Sequence, residues 1–108
     1  MAQPYGIILT TTSSKDEAER LAHILVREKL AACVQIMAIS SVYTWQDELL
    51  TEAEWLLMIK TKTDLYPQVE SDLNEHHSYE VPEITYVPIT QGAATYLAWV
   101  EANTKETG

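Results

Sequence analysis

Residues 31–63 read AACVQIMAISSVYTWQDELLTEAEWLLMIKTKT, and this stretch decides the fold. Its first arm, Ala31 to Trp45, is rich in β-branched and aromatic residues and contains neither Gly nor Pro. Nothing in it resists an extended backbone. At about 3.3 Å per residue the arm would reach about 50 Å, whereas a compact chain of this size has a radius of gyration of about 13 Å. A hairpin built on this arm must project from its own globule. In the return arm, Trp55-Leu56-Leu57-Met58-Ile59 is apolar on both alternating faces, although an antiparallel sheet in a small monomer normally wets one of them. Helices can cover one face; the other asks for a second chain. Each large side chain left in water there forgoes about 1.5 to 3 kcal/mol, and a handful rivals a whole domain stability of about 5 to 15 kcal/mol. The stretch therefore predicts an obligate oligomer, with Tyr43, Trp45, Trp55, Leu57 and Ile59 as candidate interface residues. The turn falls between Trp45 and Ala53. No Asn-Gly or Asp-Gly marks a two-residue connection, so a longer loop is expected.

Upstream, Tyr5 to Thr12 is a short apolar, β-branched run with the pattern of a central strand. Ser14 and Glu17 then fit a capping box, and Ala18, Leu21, Ala22, Leu25 and Leu30 fall near one stripe of a helix ending about Lys29. His23 lies off that stripe, on the solvated side. Downstream, Thr63 or Asp64 can cap a second helix that tolerates Pro67 in its first turn and ends near His77. Ile84 to Ile89 forms a fourth strand, placed at a sheet edge by Pro88, which has no amide to give a ladder. A last helix opens at Gly92, with Ala93, Tyr96, Leu97 and Val100 on one face. The order βαββαβα predicts an α+β, ferredoxin-like βαββαβ domain over residues 1–108 with an added C-terminal helix. Right-handed crossovers place both main helices on one sheet face and leave the other bare.

With 16 acidic and 7 basic residues the net charge is −9, which opposes nucleic-acid and anionic-membrane partners and favours cations diffusely. The lone Cys33 has no partner for an internal disulfide and reads as a small thiol in a reducing compartment. Residues 1–5 lack basic and long apolar character, and no run approaches the roughly 20 apolar residues of a membrane span. The expected compartment is the cytoplasm.

Three constellations could carry chemistry. His76 and His77 end the second helix beside Glu80 and Glu83, and imidazole with carboxylate suits Cu(II) or Zn(II). Adjacent helical residues point about 100 degrees apart, so the pair can share an ion only if the helix has already ended. The alternative for His77 is a C-terminal helix residue that interacts with the dipole and packs on Tyr79. Lys60, Thr61 and Lys62 are expected to face the Thr10–Ser14 loop, where Lys60 with Thr12 and Glu83 would form a cleft for a small anion. Trp45, Trp55, Trp99 and the tyrosines read as core and interface anchors. No Gly-rich nucleotide loop or Ser/His/Asp ordering is present, the first loop lacks the Arg and Asn of an acylphosphatase, and no RNA-binding aromatic string appears. Catalysis is not expected, and no cofactor is required.

Several strings nevertheless match a family in order along nearly the whole chain: Glu28 to Gln35, Tyr43 with Trp45, Ile59-Lys60-Thr61, His77 to Ile84 and Tyr96 to Trp99. They resemble the CutA family of divalent-cation tolerance proteins. The resemblance implies a homotrimer whose long strands continue sheets between subunits, an association with tolerance of copper and other divalent metals, and an architecture similar to PII signalling proteins. It also implies that Glu54, on the return strand, lies near the two histidines as a further metal candidate. Three positions depart from the family pattern. Ser78 stands where the family often has Pro, which should loosen the turn; Asp47 stands where a Gly is frequent; Thr12 occupies about the place of a cysteine, and its hydroxyl does not favour Cu(I) as a thiolate would. The alternative implied by the same resemblance is a PII-like signalling or scaffolding trimer in which metal is incidental.

Overall fold

The computed structural model describes residues 3–106. Strand β1 (Tyr5–Thr12) leads to helix α1 (Lys15–Arg27), then to the long strands β2 (Cys33–Trp45) and β3 (Glu48–Lys62). One 3-10 turn at Thr63–Leu65 precedes α2 (Tyr66–His76), β4 (Thr85–Pro88) and α3 (Ala94–Ala102). The four strands form one antiparallel sheet in the order β2-β3-β1-β4. This is the ferredoxin-like arrangement the element order predicts, and Pro88 lies on the edge strand, where its missing amide breaks no ladder.

The core lies between the sheet and the pair α1 and α2. Ile8 of β1 pairs with Ile59 of β3, and these residues with Leu57 meet Ala18, Leu21 and Leu25 of α1 and Val69 and Leu73 of α2. Leu57 and Ile59 are fully buried inside the chain itself. They are therefore corrected from interface to core residues, because the strand alternation turns them towards the helices. Gly6, in the same row, admits the ring of Tyr86, which would sit inside van der Waals contact of any Cβ placed there.

The hairpin does project. The molecule measures 44 × 25 × 22 Å, with a radius of gyration of 14.4 Å, and β2 pairs with β3 without a break from Cys33↔Lys60 to Trp45↔Glu48. Towards the tip both faces lose their cover: Val42 and Leu49 are 67% and 76% exposed on one side, and Trp45 is 40% exposed on the other. The connection is not a long loop. Gln46 and Asp47 alone make it, both at positive φ (52° and 66°), the type I′ geometry whose twist matches two antiparallel strands. The ladder's demand outweighs the weak preference of Gln for this region.

Two further expectations are corrected. The bare sheet face is partly covered, because α3 crosses its end: Glu101 accepts from Lys62 Nζ (3.1 Å) and from Tyr5 Oη (2.9 Å), and Val100 is buried. Half of the capping box forms. The Glu17 amide donates to Ser14 Oγ at 3.1 Å, but the Glu17 carboxylate turns elsewhere.

Candidate functional site

That carboxylate reaches the connection after α2, accepting from the backbone amide and the hydroxyl of Ser78, each at 2.8 Å. A proline at this position could donate neither bond. The turn expected to be loose is thus held by two hydrogen bonds to a carboxylate only 8% exposed. The anchored connection crosses the end of the sheet and places Tyr79 against β3, where its hydroxyl donates to Glu54 at 2.6 Å.

The connection and the hairpin enclose a cleft of about 690 Å³, lined by Tyr43, Trp45 and Glu54 from the ribbon and by Tyr79, Glu80 and Glu83 from the connection. None of its lining residues is basic. Burial and the neighbouring Glu54 push the Tyr79 phenol well above the ordinary tyrosine range. The Tyr43 hydroxyl donates to Glu52, and that bond pushes its pKa up to about 12. Both phenols therefore stay protonated at neutral pH and act as donors to carboxylates. Acidic groups among aromatic walls suit a cation or a cationic small molecule.

The histidines part company at the end of α2. His76 is its last residue, and His77 already has extended backbone (φ −77°, ψ 142°). The His77 side chain is fully buried. Its Nε2 donates to Thr11 O at 2.8 Å and lies 3.3 Å from Thr10 Oγ1, while its Nδ1 accepts from the Tyr79 amide at 3.1 Å. The rings of His77 and Tyr79 lie 5.0 Å apart, the packing expected of the non-metal alternative. Both ring nitrogens are thus in use. His76 instead points its Nδ1 at the Asp72 carbonyl, 2.9 Å away. His76, His77 and Glu54 do not converge: among the described residues the only group of three or more His, Cys, Asp or Glu side chains with metal-like spacing is Asp72, Glu75 and His76.

The anion cleft does not assemble either. In the antiparallel register Thr12 faces Trp55, whereas Lys60 faces Ile7 and Lys62 faces Tyr5, so the end of β3 lies beside the start of β1 and far from its loop. Lys60 donates to Gln35 Oε1 at 2.9 Å and lies over the Tyr96 ring. Thr12 is buried and donates to Ser14 O at 2.7 Å. Glu83 is on the acidic cleft, not beside a lysine. Sequence reasoning missed the Glu17–Ser78 and Tyr43–Glu52 bonds. The only available signal was a carboxylate in a capping box, which points first to its own helix.

A ferredoxin-like α+β protein with a projecting ribbon and an acidic, aromatic-walled cleft is thereby defined. The chain belongs to the CutA1 divalent ion tolerance protein family, whose profile matches residues 6–103. The divalent-cation tolerance protein CutA of Thermus thermophilus is 40% identical over 99 residues, 91% of this chain and 96% of that one. Protein CutA, chloroplastic, of Arabidopsis thaliana is 38% identical, and the match covers 94% of this chain but 57% of that longer protein. Among solved structures, CutA1 from a psychrotrophic Shewanella superposes with a TM-score of 0.94 at 38% identity, covering 98% of this chain and 100% of that one. CutA1 from Oryza sativa gives 0.93 at 38% identity, with 98% of each chain covered. Among the described residues no helix is long and apolar enough to cross a membrane.

Proposed function

We propose that this protein is a cytoplasmic homotrimer that takes up divalent cations, copper among them, or a small cationic ligand at clefts completed between subunits, and that this uptake underlies divalent-cation tolerance. The observation that carries the reading is the acidic cleft beside the outer half of the projecting ribbon, with Glu54 and Glu83 on its walls and no basic residue among its lining. Assembly is supported by Val42, Trp45 and Leu49, which stand largely uncovered beyond the helices; a neighbouring copy removes them from water and closes the cleft's open side. The free, half-buried Cys33 suits a reducing compartment.

The PII-like scaffolding reading draws on the same exposed ribbon, which would suffice for assembly without metal. Two measurements separate the readings. Sedimentation velocity on the full chain should give a trimer, and Trp45→Glu together with Leu49→Lys should shift it towards smaller species; a monomeric wild type ends both readings. Calorimetric titration with Cu(II) should show binding that weakens in Glu54→Gln/Glu83→Gln. A trimer with no cation affinity leaves the scaffold.

A further inference from the structure

We propose that the cleft takes a linear aliphatic diamine, an organic divalent cation, in preference to a bare metal ion. This deepens the cation reading above, on which it rests, by choosing between the two occupants that reading leaves open.

The β2–β3 ladder fixes what the ribbon presents to the cleft. Glu54 pairs with Ile39, Glu52 with Ser41, Leu50 with Tyr43 and Glu48 with Trp45. Paired residues, and every second residue along a strand, share a face. Glu54, Glu52 and Glu48 therefore form one row of carboxylates, with Tyr43 and Trp45 running beside it. Glu54 and Glu52 are two residues, about 6.6 Å, apart along that row, a separation that suits the two ammonium groups of an extended butane-1,4-diamine. Its methylene chain can lie along the Tyr43 and Trp45 rings, whose faces also attract an ammonium group. From the opposite wall the connection brings Tyr79, Glu80 and Glu83.

The independent sign of a cationic occupant is the state of Glu54. It is only 8% exposed and lines the cleft. Its Oε2 accepts from the Tyr79 hydroxyl, but among the described residues no basic side chain pairs with it and its Oε1 receives no hydrogen bond. A desolvated carboxylate normally keeps company with a positive group. The cleft does not offer a single ion its shell. Among the described residues the only group with metal-like spacing is Asp72, Glu75 and His76 on α2, and none of the three lines the cleft. At about 690 Å³ the cleft instead has the size of a small-molecule site, about 300–1,000 Å³. Aromatic walls with separated carboxylates recognise a chain carrying charge at two points, and a bare ion leaves both the walls and most of the volume unused.

The test is calorimetric titration of butane-1,4-diamine into the full chain at neutral pH, with butylamine and CuCl2 as comparison ligands, for wild type, Glu54→Gln, Glu52→Gln and Glu54→Gln/Glu83→Gln. Wild type should bind the diamine at least about tenfold more tightly than butylamine, a difference of about 1.4 kcal/mol, because a single ammonium group meets only one carboxylate of the row. Glu54→Gln should weaken diamine binding by a similar factor, and Glu52→Gln should weaken the diamine while leaving butylamine unchanged. Circular dichroism and sedimentation establish that each variant folds and assembles as wild type does; if Glu54→Gln does not, Glu52→Gln, at an exposed position, decides. Equal affinity of wild type for the two amines, or diamine affinity unchanged in the folded variants, overturns the proposal. Absence of diamine binding, with CuCl2 binding that falls in Glu54→Gln/Glu83→Gln, overturns it and leaves the cation reading in place. Binding of neither diamine nor CuCl2 ends both.

Discussion

Tyr79 donates its hydroxyl proton to Glu54 across 2.6 Å, and this bond ties the connection after α2 to the face of β3 that α1 and α2 leave open. Glu54 is 8% exposed, so removing the donor leaves a desolvated carboxylate short of a partner. A double-mutant cycle of Tyr79→Phe and Glu54→Gln, read by urea denaturation, should return a coupling of about 1.5 kcal/mol or more. Strict additivity would mean the bond contributes nothing.

Three more tyrosines repeat that pairing, making four in all. Tyr5, Tyr43, Tyr66 and Tyr79 donate to Glu101, Glu52, Glu70 and Glu54 respectively, and each phenol is raised above its ordinary value. A raised folded pKa means that the stabilisation is complete below the ordinary tyrosine value of about 10 and is lost as pH rises through the folded values, about 12 for Tyr43. Absorbance titration at alkaline pH should show native ionisation lagging that of the urea-unfolded chain. Superimposable curves would refute it.

Ser78→Ala keeps the amide bond to Glu17 and deletes the hydroxyl bond. We expect a loss of about 1 to 2 kcal/mol, with faster backbone exchange in the connection from Ser78 to Glu83. Unchanged exchange would show that the turn is held by other contacts.

Gly6→Ala forces a methyl group against the Tyr86 ring. Overpacking of this kind costs about 1 to 3 kcal/mol, seen as a lowered urea midpoint, and Gly6→Ala/Tyr86→Leu should recover part of it. Equal losses in both variants would place the cause in the backbone instead.

Asp47→Gly relieves a residue at φ 66° in a two-residue turn. A gain of about 0.5 to 1 kcal/mol follows from the lower cost of that conformation to glycine, offset by its greater freedom when unfolded. A thermal midpoint unchanged or lowered would contradict this.

The long periodic elements were legible because one physical pattern governs each of them. The β-branched arm from Cys33 to Trp45 has no competing conformation, and the spacing of Leu21, Leu25, Val69 and Leu73 admits only one buried helical stripe. Elements decided by several weak terms were not legible. Gln46-Asp47 turns because the flanking ladder requires it, against the weak preference of Gln46 for a left-handed backbone. The site suffered most. The helix does end between His76 and His77, as a shared ion would need, yet the rings part because His77 is bound to the Thr11 carbonyl and the Tyr79 amide while His76 turns back to the Asp72 carbonyl. The pairing of Lys60 with Ile7 follows from register, which no local string encodes. The partners of Glu17, Glu28 and Asp72 lie on other helices or on the connection, and carboxylates on a predicted helix read first as solvated.

The position of β1 between β3 and β4 has a consequence for assembly of the chain. The earliest strand to leave a ribosome is the one at the sheet's centre, and it has no partner until β3 is made. The local β2–β3 ribbon can zip by itself, with its turn as nucleus, whereas closing Gly6 on Pro88 spans most of the chain and carries the larger loop-closure entropy. During synthesis the ribbon is therefore formed and uncovered before the core that anchors it is complete. In that interval unfinished copies can meet tip to tip, so subunit pairing and subunit folding overlap in time.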